Sequence, residues 1–204
     1  MIRLRTLIGD QRGASAAEFT LVLPLLLIVL FGTIDVGRYA WNLSQAEKAT
    51  QTGARWAVAT DMIASGLYSY SFATSASVPQ GTTVNATLFP GIVCQSSGGA
   101  ASCTCSAACS FPTTASNTAF TNLVTRMAQI YPGLTADNVV VTYAWSGLGF
   151  AGDPNGPDVA PLTTVSLRNL NYTPFSSFIF GGQIGLPAFA YTLPMEDGSG
   201  TSSN

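Results

Sequence analysis

Glu18 stands where an apolar helix begins. It follows Arg12-Gly13-Ala14-Ser15-Ala16-Ala17 and leads through Phe19 into an apolar run that ends at Ile34. A charged side chain in lipid costs on the order of 2.5–3.5 kcal/mol at a helix centre and less near an interface. A positive charge created close by would offset that cost. Hydrolysis of the peptide bond after Gly13 would supply one, as the new α-amino group of Ala14. Glu18 would then be the fifth residue of the shortened chain.

Four cysteines form the second group with chemistry of its own: Cys94, Cys103, Cys105 and Cys109. Outside the cytoplasm clustered cysteines form disulfides, and four allow three connectivities. Pairing Cys103 with Cys105 would close a very tight ring and is disfavoured. Cys94–Cys103 with Cys105–Cys109, or Cys94–Cys105 with Cys103–Cys109, both stay open. A four-cysteine zinc site is the rival reading. However, intervals of eight, one and three residues do not reproduce the paired C-x-x-C knuckles of common zinc modules.

Catalytic constellations are hard to build here. The chain has no histidine, which removes Ser-His-Asp and Cys-His sites and histidine-ligated metals. Glu196 and Asp197 are adjacent carboxylates near the end of the chain and make a poor acid–base pair. Gly147-Leu148-Gly149-Phe150-Ala151-Gly152 matches G-x-G-x-x-G, but Asp153-Pro154-Asn155-Gly156-Pro157 follows it and cannot open a phosphate-binding helix. Asp153, Asn155 and Asp158 lack the order of a calcium loop and read as a proline-rich turn. The expectation is a protein without enzymatic activity or cofactor.

The elements that position these groups begin with a membrane segment. Charged residues make up 9% of the chain, well under the roughly 25% of typical soluble proteins. Arg3, Arg5 and Arg12 precede the apolar run, and only Arg126 and Arg168 lie beyond Arg55. That asymmetry places the N-terminus in the cytoplasm and the bulk of the chain outside. With no basic patch in the later chain, nucleic acid is not an expected partner. Phe19–Ile34 alone is shorter than the ~20 residues of a bilayer span, and adding Ala14–Ala17 brings it to that length. Pro24 would loosen the helix locally without ending it in a membrane.

Past Ile34 the absence of proline and the abundance of Ala, Gln, Glu, Lys and Arg extend the helix to about residue 60. Tyr39, Leu43, Ala46, Thr50, Gly53 and Ala57 form a stripe suited to close packing against the protein's own globular part or a neighbouring helix. Residues 61–116 turn rich in Ser, Thr, Ala and Gly and read as a loop-rich, cysteine-containing region with one short strand at Thr83–Phe89. Residues 117–204 read as a small α+β head. It starts with a helix capped by Ser116 or Asn117 and running to about Ile130, with Phe120, Leu123, Val124 and Met127 on one face. Strands follow at Asn138–Trp145, Leu162–Asn169 and Gly185–Leu193. Phe175, Phe178, Ile179 and Phe180 read as core plugs, and a flexible tail starts at about residue 196. The fold class is therefore α+β: a leader (1–13), a transmembrane and extended helix (14–60), then the cysteine region and the head with an antiparallel sheet.

Gly13, then Ala14 to Ala17, then Glu18-Phe19 and an apolar helix resembles the class III signal of type IV pilins and pseudopilins. The longer string is closer still to the TadE-like family of the Flp/Tad pilus assembly system. Its carriers are Arg12-Gly13, Glu18-Phe19, Leu23-Pro24, Phe31-Gly32, Asp35-Val36-Gly37-Arg38 and Ala54-Arg55. An ordinary secretory signal fits poorly, because Glu18 and Pro24 interrupt it and no small-x-small site follows Ile34. The resemblance implies a pilin-like lollipop, cut after Gly13 by a prepilin peptidase and assembled through its N-terminal helix, with Glu18 and Phe19 setting register. A head of this size implies a minor rather than a major pilin. The implied partners are the Flp pilin, other TadE-like and TadF-like subunits, the Tad inner-membrane platform and its ATPase, and membrane lipid. The alternative is an uncleaved, single-pass scaffold or surface-binding protein of the same machinery.

Overall fold

The computed structural model describes residues 14–201. Those residues divide into two compact units, one of 14–41 with 172–184 and the other of 42–171 with 185–201. Helix α1 (Ala14–Ala59) contributes to both and is unbroken through Pro24. Proline removes the hydrogen bond to the carbonyl one turn earlier and crowds that carbonyl, yet the helix continues on both sides of it. Gly13, the expected cleavage position, lies outside the described residues, as does Arg12.

From Phe19 to Ile34, α1 is apolar on every side. Phe19, Leu21, Val22, Leu25, Leu26, Ile28, Val29, Leu30 and Ile34 are all exposed, the pattern of a helix whose surroundings are lipid or other helices. The same unit holds the segment from Tyr172 to Ile184, with a single-turn helix α5 (Ser177–Phe180). Phe175 and Phe178, expected as core plugs, are exposed instead; the side chains of Ile179 and Phe180 lie outside the described residues.

The second unit is an α+β head. Its five-stranded antiparallel sheet has the order β2-β1-β3-β4-β7, from β1 (Ile92–Ser97), β2 (Ala100–Cys105), β3 (Val139–Ala144), β4 (Leu162–Leu167) and β7 (Phe189–Pro194). The short β5 (Asn171–Tyr172) and β6 (Ile184–Gly185) pair separately. Two further single-turn helices, α2 (Ser65–Tyr68) and α3 (Phe72–Ser75), precede the sheet, and α4 (Asn117–Ala128) lies between β2 and β3. Ser116 caps α4 as expected, its hydroxyl accepting the Ala119 N–H. Alternation does its work in β3, where Val139, Val141 and Tyr143 are buried and the residues between them are not.

One hydrophobic core runs through the head. Ala46, Ala49, Ala54, Ala57 and Val58 of α1 join Phe120, Leu123 and Met127 of α4, with Val139, Val141, Tyr143, Val165 and Leu167 from the sheet. The small-residue stripe is therefore used by the protein's own head: Ala46, Thr50, Gly53 and Ala57 are all buried. A Cβ on Gly53 would come within 2.6 Å of the Met127 Sδ, so glycine there permits the close approach of α1 and α4.

Three further expectations are corrected. Residues 83–89 form no strand, with a turn at 86–88, and the real strands of that region are β1 and β2. Gly98 and Gly99, which read as breakers, both have positive φ (66° and 93°) and make the two-residue turn of a β1–β2 hairpin. The region is also no separate loop, because Phe72, Val84, Phe89 and Phe111 belong to the head's core. Finally, the tail from residue 196 is tied down through Gly200. The Glu196 and Asp197 N–H groups donate to the Val58 carbonyl, Met62 N–H to Gly198 O, and Gly200 N–H to the Asp61 carboxylate at 2.7 Å. These bonds occupy a carbonyl that the end of α1 would otherwise leave without a partner.

Among the four cysteines the bridges are Cys94–Cys103 and Cys105–Cys109. The first joins residues directly opposite in the hairpin, with Cα atoms 4.1 Å apart. Electron-transfer fragmentation of the unreduced peptide spanning β1, β2 and Cys109 should find these two pairs; fragments joining Cys94 to Cys105 would contradict the register.

Tyr143 carries the central buried hydroxyl. It accepts the Ile63 N–H at 3.0 Å, and complete burial pushes its ionisation well above the ordinary tyrosine range, so it stays neutral. Tyr143→Phe should lower unfolding stability by about 1–3 kcal/mol, the cost of a buried N–H left unpaired, read as a lower denaturant midpoint. An unchanged midpoint would mean that the Ile63 N–H finds another acceptor.

Candidate functional site

The most elaborate polar arrangement in the first unit is built around Asp35, the first charged residue after the apolar run. Its side chain is 7% exposed. One carboxylate oxygen accepts the Phe175 N–H at 2.6 Å and the other accepts the Ser176 N–H at 2.8 Å. The Tyr172 hydroxyl lies 3.3 Å from both Oδ1 and the Asp35 carbonyl oxygen. An ionised carboxylate accepts up to four hydrogen bonds and donates none. Facing two consecutive amides and a hydroxyl, Asp35 is matched to its surroundings as an anion.

Arg38, one turn further along α1, packs its guanidinium 4.3 Å from the centre of the Phe175 ring and 5.8 Å from that of Tyr172. Tyr39 meets Tyr172 edge to face at 5.8 Å. The spacing of Asp35, Arg38 and Tyr39 places all three on one side of α1, so the helix grips the 172–184 segment by charge, cation–π and aromatic contacts together. Burial raises the Tyr172 hydroxyl above its usual range; Arg38 opposes the shift, and the Asp35 charge and hydrogen bond add to it. Tyr172 consequently remains a hydrogen-bond donor at neutral pH. Gly32, Asp35, Val36, Tyr39, Tyr172, Pro174, Ser176 and Ile184 line a groove of about 310 Å³ beside this clasp.

The sequence-predicted residues are distributed unevenly about this arrangement. Asp35, Arg38 and Gly32 come together at the clasp or its groove. Gly37 is exposed, and a Cβ there would meet nothing within 4 Å. Glu18, Phe19 and Pro24 lie on the exposed part of α1, and among the described residues the Glu18 carboxylate has no hydrogen-bond or ion-pair partner. Ala14 opens α1. The cysteines are in the head.

Tyr172, Phe175 and Ser176 are the functional candidates that sequence reasoning missed. Asp35 with Arg38 at helical spacing was a visible signal of a bound element, but nothing local identified that element some 140 positions later. The calcium-like group dissolves into turn structure: Asp158 accepts from Phe72 N–H at 2.6 Å and Asp153 N–H at 3.2 Å, and Asp153 accepts from Asn155 N–H. Gly147 to Gly152 is a turn with positive φ at each glycine and leads into no helix.

Asp35→Ala would leave the Phe175 and Ser176 amides without their acceptors. Hydrogen exchange on the whole protein should then quicken at those two amides by about tenfold or more, the equivalent of ~1–3 kcal/mol, with the head unchanged. Unaltered exchange would show that the segment is held by its apolar contacts alone.

No curated protein and no solved structure matches the chain. Residues 13–55 match the family model described as TadE-like protein. The resemblance to the TadE-like family thus holds over the segment that carries the apolar helix, Asp35 and Arg38, and it points to a membrane-anchored protein associated with components of the Tad pilus.

Proposed function

We propose that this protein is a minor pilin or pseudopilin of a Flp/Tad-type system, cleaved after Gly13 by a prepilin peptidase and assembled through α1. The observation that carries the reading is the coincidence of the TadE-like match over residues 13–55 with a helix start that is apolar and exposed on all sides yet holds Glu18. A helix of that kind needs lipid or other helices around it. Its one carboxylate needs a cation in the same dry surroundings. The α-amino group of Ala14, or that of a neighbouring subunit, would be that cation, and only cleavage would create it. The head then stays outside the inner membrane, with its two disulfides formed in an oxidising compartment. Prepilin peptidase, the Flp pilin, other TadE-like or TadF-like subunits and the Tad platform are the partners on this reading.

The decisive measurement is the N-terminal mass of the protein from native membranes, with and without the peptidase. A chain starting at Ala14 only when the peptidase is present, and loss of assembly in Glu18→Ala, are the expected results. A start at Met1 in both strains would replace this reading with that of an uncleaved scaffold.

A further inference from the structure

The segment from Tyr172 to Ile184 presents apolar side chains to its surroundings while being fastened to the helix. Phe178 is 97% exposed and Phe175 59% exposed, and Ile184 is also open. No charged residue occurs anywhere from Asn169 to Met195. Exposed aromatic side chains on an uncharged loop mark a contact surface rather than a solvated turn.

What the surface contacts follows from where the clasp holds it. Asp35 comes directly after the last residue of the apolar run, and α1 rises about 30 Å between Ala14 and Ile34 at 1.5 Å per residue. That is the thickness of a bilayer's hydrocarbon core. The two amides bound by Asp35 belong to Phe175 and Ser176, so the loop is fixed at the level where the apolar run ends. Arg38 and Tyr39 at the clasp, and Trp41 nearby with 67% of its surface exposed, are the residue types that populate the membrane–water interface.

We infer that the 172–184 segment is a second membrane contact: Phe175 and Phe178 insert among the lipid headgroups and upper acyl chains at the end of the span, held at that depth by Asp35. The occupant is lipid, and the groove beside the clasp, open and lined by Gly32, Val36, Pro174 and Ile184, accepts an acyl chain. This rests on the reading that the apolar part of α1 spans a bilayer.

The test uses the full chain with Phe178→Cys, labelled with an environment-sensitive fluorophore; the four native cysteines are in disulfides and do not react. The protein is reconstituted in phosphatidylcholine–phosphatidylglycerol vesicles with bromines placed either high or low on the acyl chains. Leu25→Cys, labelled the same way, reports the span. The expected result is blue-shifted emission at position 178 with at least about twofold stronger quenching by high than by low bromines, and the reverse order at position 25. Quenching at 25 with water-like, unquenched emission at 178 would overturn the loop contact and leave the span standing. Blue-shifted but unquenched emission at 178 would mean that protein, such as a second copy, covers the loop, and would also overturn it. Absence of quenching at 25 would remove the span and the loop contact together.

Discussion

A continuous helix of 46 residues has to satisfy two kinds of surroundings, and most features of this protein follow from that constraint. Between Phe19 and Ile34 the helix has no packed face; its bulky side chains are exposed on every side. From Ala46 onward it carries small residues on a buried stripe and delivers them to the head's core. One secondary structure serves both parts because a helix closes its own backbone hydrogen bonds in either environment. What changes along it is side-chain volume and polarity, and Asp35 is where the change begins.

Asp35 also shows how a costly group becomes a structural one. A carboxylate at the end of an apolar run is expensive if left bare. Here two backbone amides and a hydroxyl surround it, so the anion orders a loop that has few other reasons to adopt one conformation. Arg38 adds a flat cation against Phe175. The acid and base of the Asp35-Val36-Gly37-Arg38 string thus serve a contact within the first unit, whereas Glu18 is exposed and has no partner among the described residues. The two carboxylates therefore differ: Asp35 is satisfied by the 172–184 segment, and Glu18 has no such acceptor role among the described residues.

In the head, stability comes from joining weak pieces. Residues 61–116 have poor intrinsic preference for any regular element. They are ordered by the β1–β2 hairpin, two short-range disulfides and the aromatic group of Tyr70, Phe72, Phe89 and Phe111. β1 then pairs with β3, the strand with the strongest β-branched pattern. The closing residues add the last hydrogen bonds to the end of α1.

Local signals determined the parts of this protein that depend on neighbours in sequence. The continuation of α1 to Ala59, the Ser116 cap, and strands β3 and β4 were legible because helix periodicity, capping and alternation act over a few residues. The Cys94–Cys103 pair was legible in principle. A two-residue turn at Gly98-Gly99 fixes a register in which positions 94 and 103 face each other, but the glycines also read as breakers, and composition could not choose between the two. Tertiary structure alone decided that β1 sits beside β3, that the tail returns to Val58 and Asp61, that Phe178 is exposed, and that Asp35 binds the amides of Phe175 and Ser176. The pairings join residues far apart in the chain, and the exposure of Phe178 follows from them; the outcome depends on which surfaces are left unpaired once the core has formed, and no local preference records that.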